Sequence, residues 1–294
     1  MEKRTFGRSG LQVTTLGLGA AEVGYRVTSF EASARLLNTA LDCGINVIDT
    51  AAGYADSEEK IGRALAHRRG EFHLFTKCGR FAAPQVADWP ASLVERSLET
   101  SLRRLRTDHV DLLLLHSCPL AVLKNAELIA AMVRARETGK TRLVGYSGDS
   151  NAALYAAGMG VFDALEISVN IADQEAIDRI FPEAAARGMG VIAKRPVANA
   201  AWLNDEGYGA TYRERLKKLR FDFLASDPAK AVDIALRFAV HTPGVHVAIV
   251  GTTRAERIAQ NVSAVESGPL DPARYEAIRE RWRAVAKPDW VGQG

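Results

Sequence analysis

Short apolar runs alternate with segments of helical period eight times along this chain, and no other feature restricts the fold as strongly. The runs are TLGLGA (15–20), NVID (46–49), EFHLFTK (71–77), VDLLLLH (110–116), TRLVGYS (141–147), ALEISVN (164–170), GVIAKRP (190–196) and VHVAIVG (245–251). Helical spacing follows them over 29–42, 57–66, 89–105, 121–138, 151–159, 175–187, 229–241 and 254–266, and 272–286 predicts an extra C-terminal helix. Strands that are nearly all apolar must be covered on both faces, as in a parallel sheet wrapped by helices. An open doubly wound sheet would normally carry G-x-G-x-x-G in its first turn, and GLGAAEVG (17–24) lacks that spacing. The expected fold is an α/β (β/α)8 TIM barrel, a single domain over 1–294. Residues 3–14, with Gly7, Ser9 and Gly10 between two alternating runs, predict an N-terminal β-hairpin acting as a lid on one barrel end. The stretch 197–227, with Gly207, Gly209 and a basic run from Arg213 to Arg220, reads as an active-site loop containing a short helix.

Composition narrows the function classes. No stretch approaches the ~20 apolar residues needed to span a bilayer, and MEKRTFGRSG lacks the apolar core of a secretory signal. Three cysteines, Cys43, Cys78 and Cys118, are few and odd in number, which predicts a reducing, cytoplasmic setting. A net charge of +3 over 294 residues suggests neither nucleic acid nor membrane as partner. His67, His73, His109, His241 and His246 show no metal-ligand spacing, so no metal is expected. The expected partner is a small molecule, and the expected state a monomer or weak homo-oligomer.

The chemistry is expected at strand ends. Asp49, Lys77 and His116 close the second, third and fourth apolar runs, and Tyr54 lies in the loop before a helix that Ser57 is expected to cap. In a parallel barrel the C-terminal strand ends converge on the catalytic face. A phenol with a pKa of about 10 is a poor proton donor near neutrality unless a nearby ammonium stabilises its phenolate. Lys77 is placed to supply that charge, Asp49 to keep the lysine protonated, and His116, as neutral imidazole, to hold a carbonyl oxygen. Singly, each such residue is more often a cap or a surface ion pair. Four polar groups on one quadrant favour the catalytic reading. Tyr25, Phe81, Trp89 and Trp202 are candidates for an apolar substrate pocket, with packing as the alternative for each. Cys118 reads as a buried small hydrophobe.

RTFGRSGLQVTTLGLG, NVIDTAAGYADSEEKIG, FTK, DLLLLH, the GYS strand tip and VGTTRAERIAQN occur in the order seen in the aldo-keto reductases, which this chain resembles over nearly its whole length. The resemblance implies a barrel that binds NADPH without a dinucleotide-binding Rossmann fold, with Asp49, Tyr54, Lys77 and His116 matching the family's catalytic tetrad. It implies reduction of an aldehyde or ketone with Tyr54 as the acid. The alternatives are an NAD(P)+-dependent sugar or alcohol dehydrogenase, or a redox sensor that binds the cofactor and turns over slowly.

Residues 250–261 join a strand tip, Thr252 and Thr253, and a helix start, a ready site for phosphate. By resemblance Arg257 grips the adenosine 2′-phosphate and Gln260 and Asn261 lie near adenine, so NADPH is expected over NADH. Gly251 stands where some members carry lysine. Ala20, Asp49 and Arg195 complete the implied cofactor set. Around the nicotinamide, the family's Ser-Asn pair is Ser147-Gly148, its glutamine falls on Glu166 and its stacking aromatic on Lys194. Glu166 and Lys194 are expected to compensate one another as an ion pair.

Overall fold

In the computed structural model, which describes residues 1–79, 89–203, 209–225 and 227–293, the eight apolar runs form a closed parallel barrel. A separate antiparallel hairpin pairs β1 (Lys3–Thr5) with β2 (Gln12–Thr14). The barrel strands are β3 (Leu16–Gly19), β4 (Val47–Asp49), β5 (His73–Cys78), β6 (Val110–His116), β7 (Thr141–Ser147), β8 (Ala164–Ser168), β9 (Gly190–Lys194) and β10 (Val247–Gly251). Each pairs with the next in sequence, and β10 closes the ring against β3.

The continuous leucines of β6 follow from this architecture. Leu112 and Leu114 point into the barrel with Val47, Phe75, Ile192 and Val247, while Leu113 and Leu115 point outward into the layer under the helices. Both faces are apolar because neither meets water.

The hairpin covers the end of the barrel where the strands begin. Phe6 is buried, its ring 5.6 Å from Phe75 and edge-on to His246 at 5.8 Å, and burial of such a side chain contributes roughly 1.5–3 kcal/mol. Gly7 adopts φ +52°, and a methyl there would lie 2.4 Å from the Gly190 nitrogen. Arg4 Nη1 donates to the carbonyls of Val240 (2.9 Å) and Val245 (2.7 Å), and the Arg8 amide donates to Gly188 (2.7 Å).

Several helix boundaries differ from expectation. The segment 121–138 is two helices, Leu120–Leu123 and Ala126–Glu137; Asn125 caps the second, accepting from the amides of Glu127 (3.1 Å) and Leu128 (3.3 Å). The segment 175–187 divides into Glu175–Arg179 and Phe181–Ala186, where Pro182 lacks the amide a continuous helix needs. Ser57 does not cap its helix. It is the first helical residue of Ser57–Leu65, and its hydroxyl donates to the Ala20 carbonyl at 2.8 Å. A short helix, Ala21–Tyr25, was not expected. The helix expected over 89–105 begins at Ser92; Asp88, like Phe81 and Gly207, lies outside the described residues.

The loop after β9 carries a helix, Gly209–Leu219, whose Tyr212, Leu216 and Leu219 form a second apolar cluster with Trp282 of the C-terminal helix Pro272–Val285 and with Trp290. Residues 291–293 then cross the barrel end where the strands finish. The Val291 carbonyl accepts from Arg215 (2.6 Å), the Gly292 amide donates to Glu175 (2.9 Å), and the Gln293 carbonyl accepts from Arg195.

Candidate active site

Strand register brings the polar tips to one level. Gly19 pairs with Asp49, Lys77 with Leu114, His116 with Ser147, Ser147 with Glu166, and Gly251 with Gly19, so the C-terminal strand ends form a continuous rim. Tyr54 is brought over the rim by a loop tied to the neighbouring strand: the Thr50 and Ala52 amides donate to the carbonyls of Phe75 (2.9 Å) and Lys77 (3.1 Å). Gly24 packs beneath it so closely that a methyl there would lie 2.0 Å from the Tyr54 carbonyl oxygen.

Lys77 Nζ lies 5.2 Å from the centroid of the Tyr54 ring, and the His116 ring meets that ring edge-on at 5.5 Å. Lys77 donates to Asp49 Oδ1 and to the Thr50 carbonyl (3.0 Å), and its Nζ lies 3.2 Å from Glu166 Oε2. The four residues expected to act together are therefore adjacent, and Glu166 joins them.

Electrostatics refine the expected proton donor. Burial pushes the Tyr54 phenol up; Lys77 opposes this, while Asp49 and Glu166 add to it, so the phenol is held protonated rather than activated. Burial acts to lower Lys77, but the Asp49 and Glu166 carboxylates outweigh it, and the lysine stays charged. Asp49 is raised well above the usual carboxylate range by burial and by Glu166, against the pull of Lys77. His116 is driven well below its ordinary value by burial and by the charges of Lys77, Lys194 and Arg195, which keeps the imidazole neutral as expected.

The expected Glu166–Lys194 ion pair does not form. Lys194 reaches Asp149 Oδ2 at 3.0 Å, whereas Glu166 accepts from Ser147 Oγ at 3.2 Å and faces Lys77. Register gives the reason: Glu166 is level with Ile192, and Lys194 with Ser168, one layer higher. Asp149 also accepts from the Ser168 amide (2.7 Å), and Arg195 donates to Ser168 Oγ (2.9 Å). Asp149 was missed because an acid just past a strand and before the helix Ser150–Gly158 reads as a cap, yet its side chain caps nothing there. Gly148 has a local cause: a methyl at that position would lie 2.2 Å from the Tyr146 hydroxyl, which donates to the Cys118 carbonyl (2.8 Å).

The other expected residues are dispersed. Ala20 is fully buried, its amide donating to the Asp49 carbonyl at 2.8 Å. Tyr25 is 60% exposed, with its ring 5.9 Å from Tyr54. Trp89 is packed in the core against Gly79, and Trp202 lies half-buried against the second apolar cluster. Cys78 and Cys118 are buried and their thiols are pushed up to about 12 by burial, so neither is a nucleophile near neutrality.

At the β10 tip Thr252 Oγ1 accepts from the Arg254 amide (3.2 Å), and Thr253, Arg254, Arg257 and Gln260 are exposed around the start of the helix Glu256–Glu266, with Asn261 half-buried behind them. Neither guanidinium forms an ion pair among the described residues, so this donor set fits a dinucleotide's phosphates. Glu22 packs against Gly251, where a methyl would lie 2.0 Å from its Oε2, which leaves no room for a larger residue without moving that carboxylate. At the other end Asp49 Oδ2 is buried without a hydrogen-bond donor and Glu166 Oε2 has only the Lys77 ammonium at 3.2 Å, so these acceptors fit an amide-bearing ring. A cavity of about 460 Å³ lies at the opposite end of the barrel, but Arg69 there is engaged by Thr107, Phe72, His109 and Asp111. No group of His, Cys, Asp and Glu suited to a metal occurs among the described residues, and no helix among them is long and apolar enough to cross a membrane.

Known proteins of this architecture bear on the site. L-galactose dehydrogenase from Arabidopsis thaliana is 27% identical over 319 residues, covering 100% of this chain and 99% of that protein. The holo form of the aldo-keto reductase AKR11C1 from Bacillus halodurans superposes with a TM-score of 0.83 at 27% identity, covering 99% of each chain. An aldo-keto reductase from Klebsiella pneumoniae solved in complex with NADPH gives a TM-score of 0.76 at 25% identity, covering 98% of this chain and 96% of that one. The aldo/keto reductase family model matches residues 15–283. With a family model covering most of a closed eight-stranded barrel, this chain belongs to the aldo/keto reductase family, and it is an oxidoreductase.

Proposed function

We propose that this oxidoreductase uses NADP(H) to interconvert an aldehyde or ketone and its alcohol, with Tyr54 as the general acid in reduction. The observation that carries the reading is the placement of the Tyr54 ring between the Lys77 ammonium at 5.2 Å and the neutral His116 ring at 5.5 Å.

When bound, the reduced nicotinamide supplies the hydride. As that hydride adds to the carbonyl carbon, the C=O π electrons move onto oxygen, and Tyr54 delivers its proton to the alkoxide, leaving a phenolate beside Lys77. A phenol raised by burial does not ionise before substrate binds; the developing alkoxide, a stronger base, takes its proton, and Lys77 stabilises the phenolate left behind. Solvent then reprotonates Tyr54. His116, uncharged, donates a hydrogen bond to the carbonyl oxygen and orients it. Asp49 holds Lys77 in place and charged. Arg254 and Arg257 hold the phosphates, and Arg257 is the proposed grip on a 2′-phosphate.

Sugar oxidation is the second reading, supported by end-to-end similarity to L-galactose dehydrogenase. Turnover with a panel of aldehydes, ketones and hexoses, followed by nicotinamide absorbance in both directions, tests the proposal. Tyr54→Phe is expected to lower turnover by about 10²–10⁴-fold while leaving dinucleotide binding intact. Undiminished turnover in that variant refutes the role of Tyr54, and binding of the dinucleotide without turnover on any substrate favours a redox sensor.

A further inference from the structure

Lys77 is a single cation between two carboxylates. Asp49, Lys77 and Glu166 are each no more than 2% exposed, and Lys77 contacts both acids. Two acids thus share one cation, and burial with the neighbouring Glu166 raises Asp49 well above the usual carboxylate range. Asp49 Oδ2, moreover, is a buried acceptor with no hydrogen-bond donor, and Glu166 Oε2 has only the Lys77 ammonium, at 3.2 Å. A buried charge without its counterion is costly, so such a cluster favours a partner that brings positive charge. Glutamine at 166 could accept the same bond from Ser147 and would leave Lys77 in a simple one-to-one pair with Asp49.

The proposed reaction, on which this inference rests, brings hydride and proton to adjacent atoms of one carbonyl group. The ring that carries the hydride must therefore lie one small substrate away from Tyr54, within the field of Glu166. That ring is positively charged when oxidised and neutral when reduced.

We infer that Glu166 is a specificity-determining residue for the redox state of the cofactor: its charge favours binding of the oxidised nicotinamide over the reduced one. The neighbouring strand β9 opposes it. Lys194 there brings a positive charge, its Nζ 3.0 Å from Asp149 Oδ2. Removing the charge of Glu166 and removing that of Lys194 must then move the preference in opposite directions.

Calorimetric titration of wild type, Glu166→Gln and Lys194→Met with NADP+ and NADPH tests this without reference to turnover. The ratio of the NADP+ dissociation constant to that of NADPH should rise about tenfold in Glu166→Gln, the size expected of one charge at about 10 Å in an effective dielectric near 20. It should fall in Lys194→Met and stay within about threefold of wild type in Glu166→Asp, which keeps the charge. If Glu166→Gln does not fold, Glu166→Met carries the same expectation. Binding of both forms with a ratio that the loss of the Glu166 charge does not change overturns the inference but leaves the proposed function standing. Failure of wild type to bind either form overturns both.

Discussion

Replacing Lys77 with methionine tests the charge arrangement at the centre of the site. Methionine matches the lysine stem in length, so the perturbation is chiefly loss of the ammonium between Asp49 and Glu166, two carboxylates that are 1% and 2% exposed. Removing one partner of a buried ion pair typically costs about 3–5 kcal/mol. For a chain of this size ~1 kcal/mol corresponds to about 2 °C, so Tm should fall by about 6–10 °C near pH 8. The pH dependence has a definite sign. Burial and mutual repulsion already raise Asp49, and loss of Lys77 raises it further. A carboxylate whose folded pKa lies above its unfolded value stabilises most below the unfolded value, about 3.9, and loses that contribution as pH rises through the folded value. The deficit of Lys77→Met relative to wild type should therefore shrink on going from about pH 8 to about pH 5, and adding Asp49→Asn should recover part of it at the higher pH. Unfolding followed by circular dichroism at both values measures this. A variant as stable as wild type near pH 8, or a deficit that does not change with pH, refutes the claim that the Lys77 ammonium offsets the charge of these buried acids.

Gly24→Ala should displace Tyr54, because the added methyl would sit 2.0 Å from its carbonyl oxygen, and turnover should drop by about 10²-fold with little change in dinucleotide affinity. Gly148→Ala, which drives a methyl to within 2.2 Å of the Tyr146 hydroxyl, should cost about 1–3 kcal/mol in urea unfolding, and less in a Tyr146→Leu background. Asp173 is pushed up to about 7 by burial and by Asp149. Its folded value exceeds its unfolded one, so its contribution is complete below about pH 4 and disappears as pH rises through 7. Urea midpoints of Asp173→Asn across that interval should accordingly lack this component of the wild-type decline.

The barrel was legible because the period of the apolar pattern switches between strand and helix at every element, and VDLLLLH could only be a strand covered on both faces. Asp49, Lys77 and His116 were legible for a related reason: each is the polar residue that ends or nearly ends an apolar run, and in a parallel barrel those ends share one face. The partner of Glu166 was not legible. Which side chains of β8 and β9 share a layer depends on the stagger between strands, and a difference of two residues put Lys194 beside Ser168 and Asp149 instead. Nor does the sequence show that Tyr146 folds under residue 148, or that the last residues return across the catalytic end to Arg195, since such contacts join segments far apart in the chain.

The N-terminal hairpin has a consequence for how the molecule comes together. Its anchors are the carbonyls of Gly188, Val240 and Val245, and Phe6 lies against Phe75 and His246. During synthesis this hairpin emerges before its seat exists, because the chain near residue 246 must follow and the ring must close first. A segment made before the barrel is thus fixed after it, a stopper set in place only once the vessel is complete.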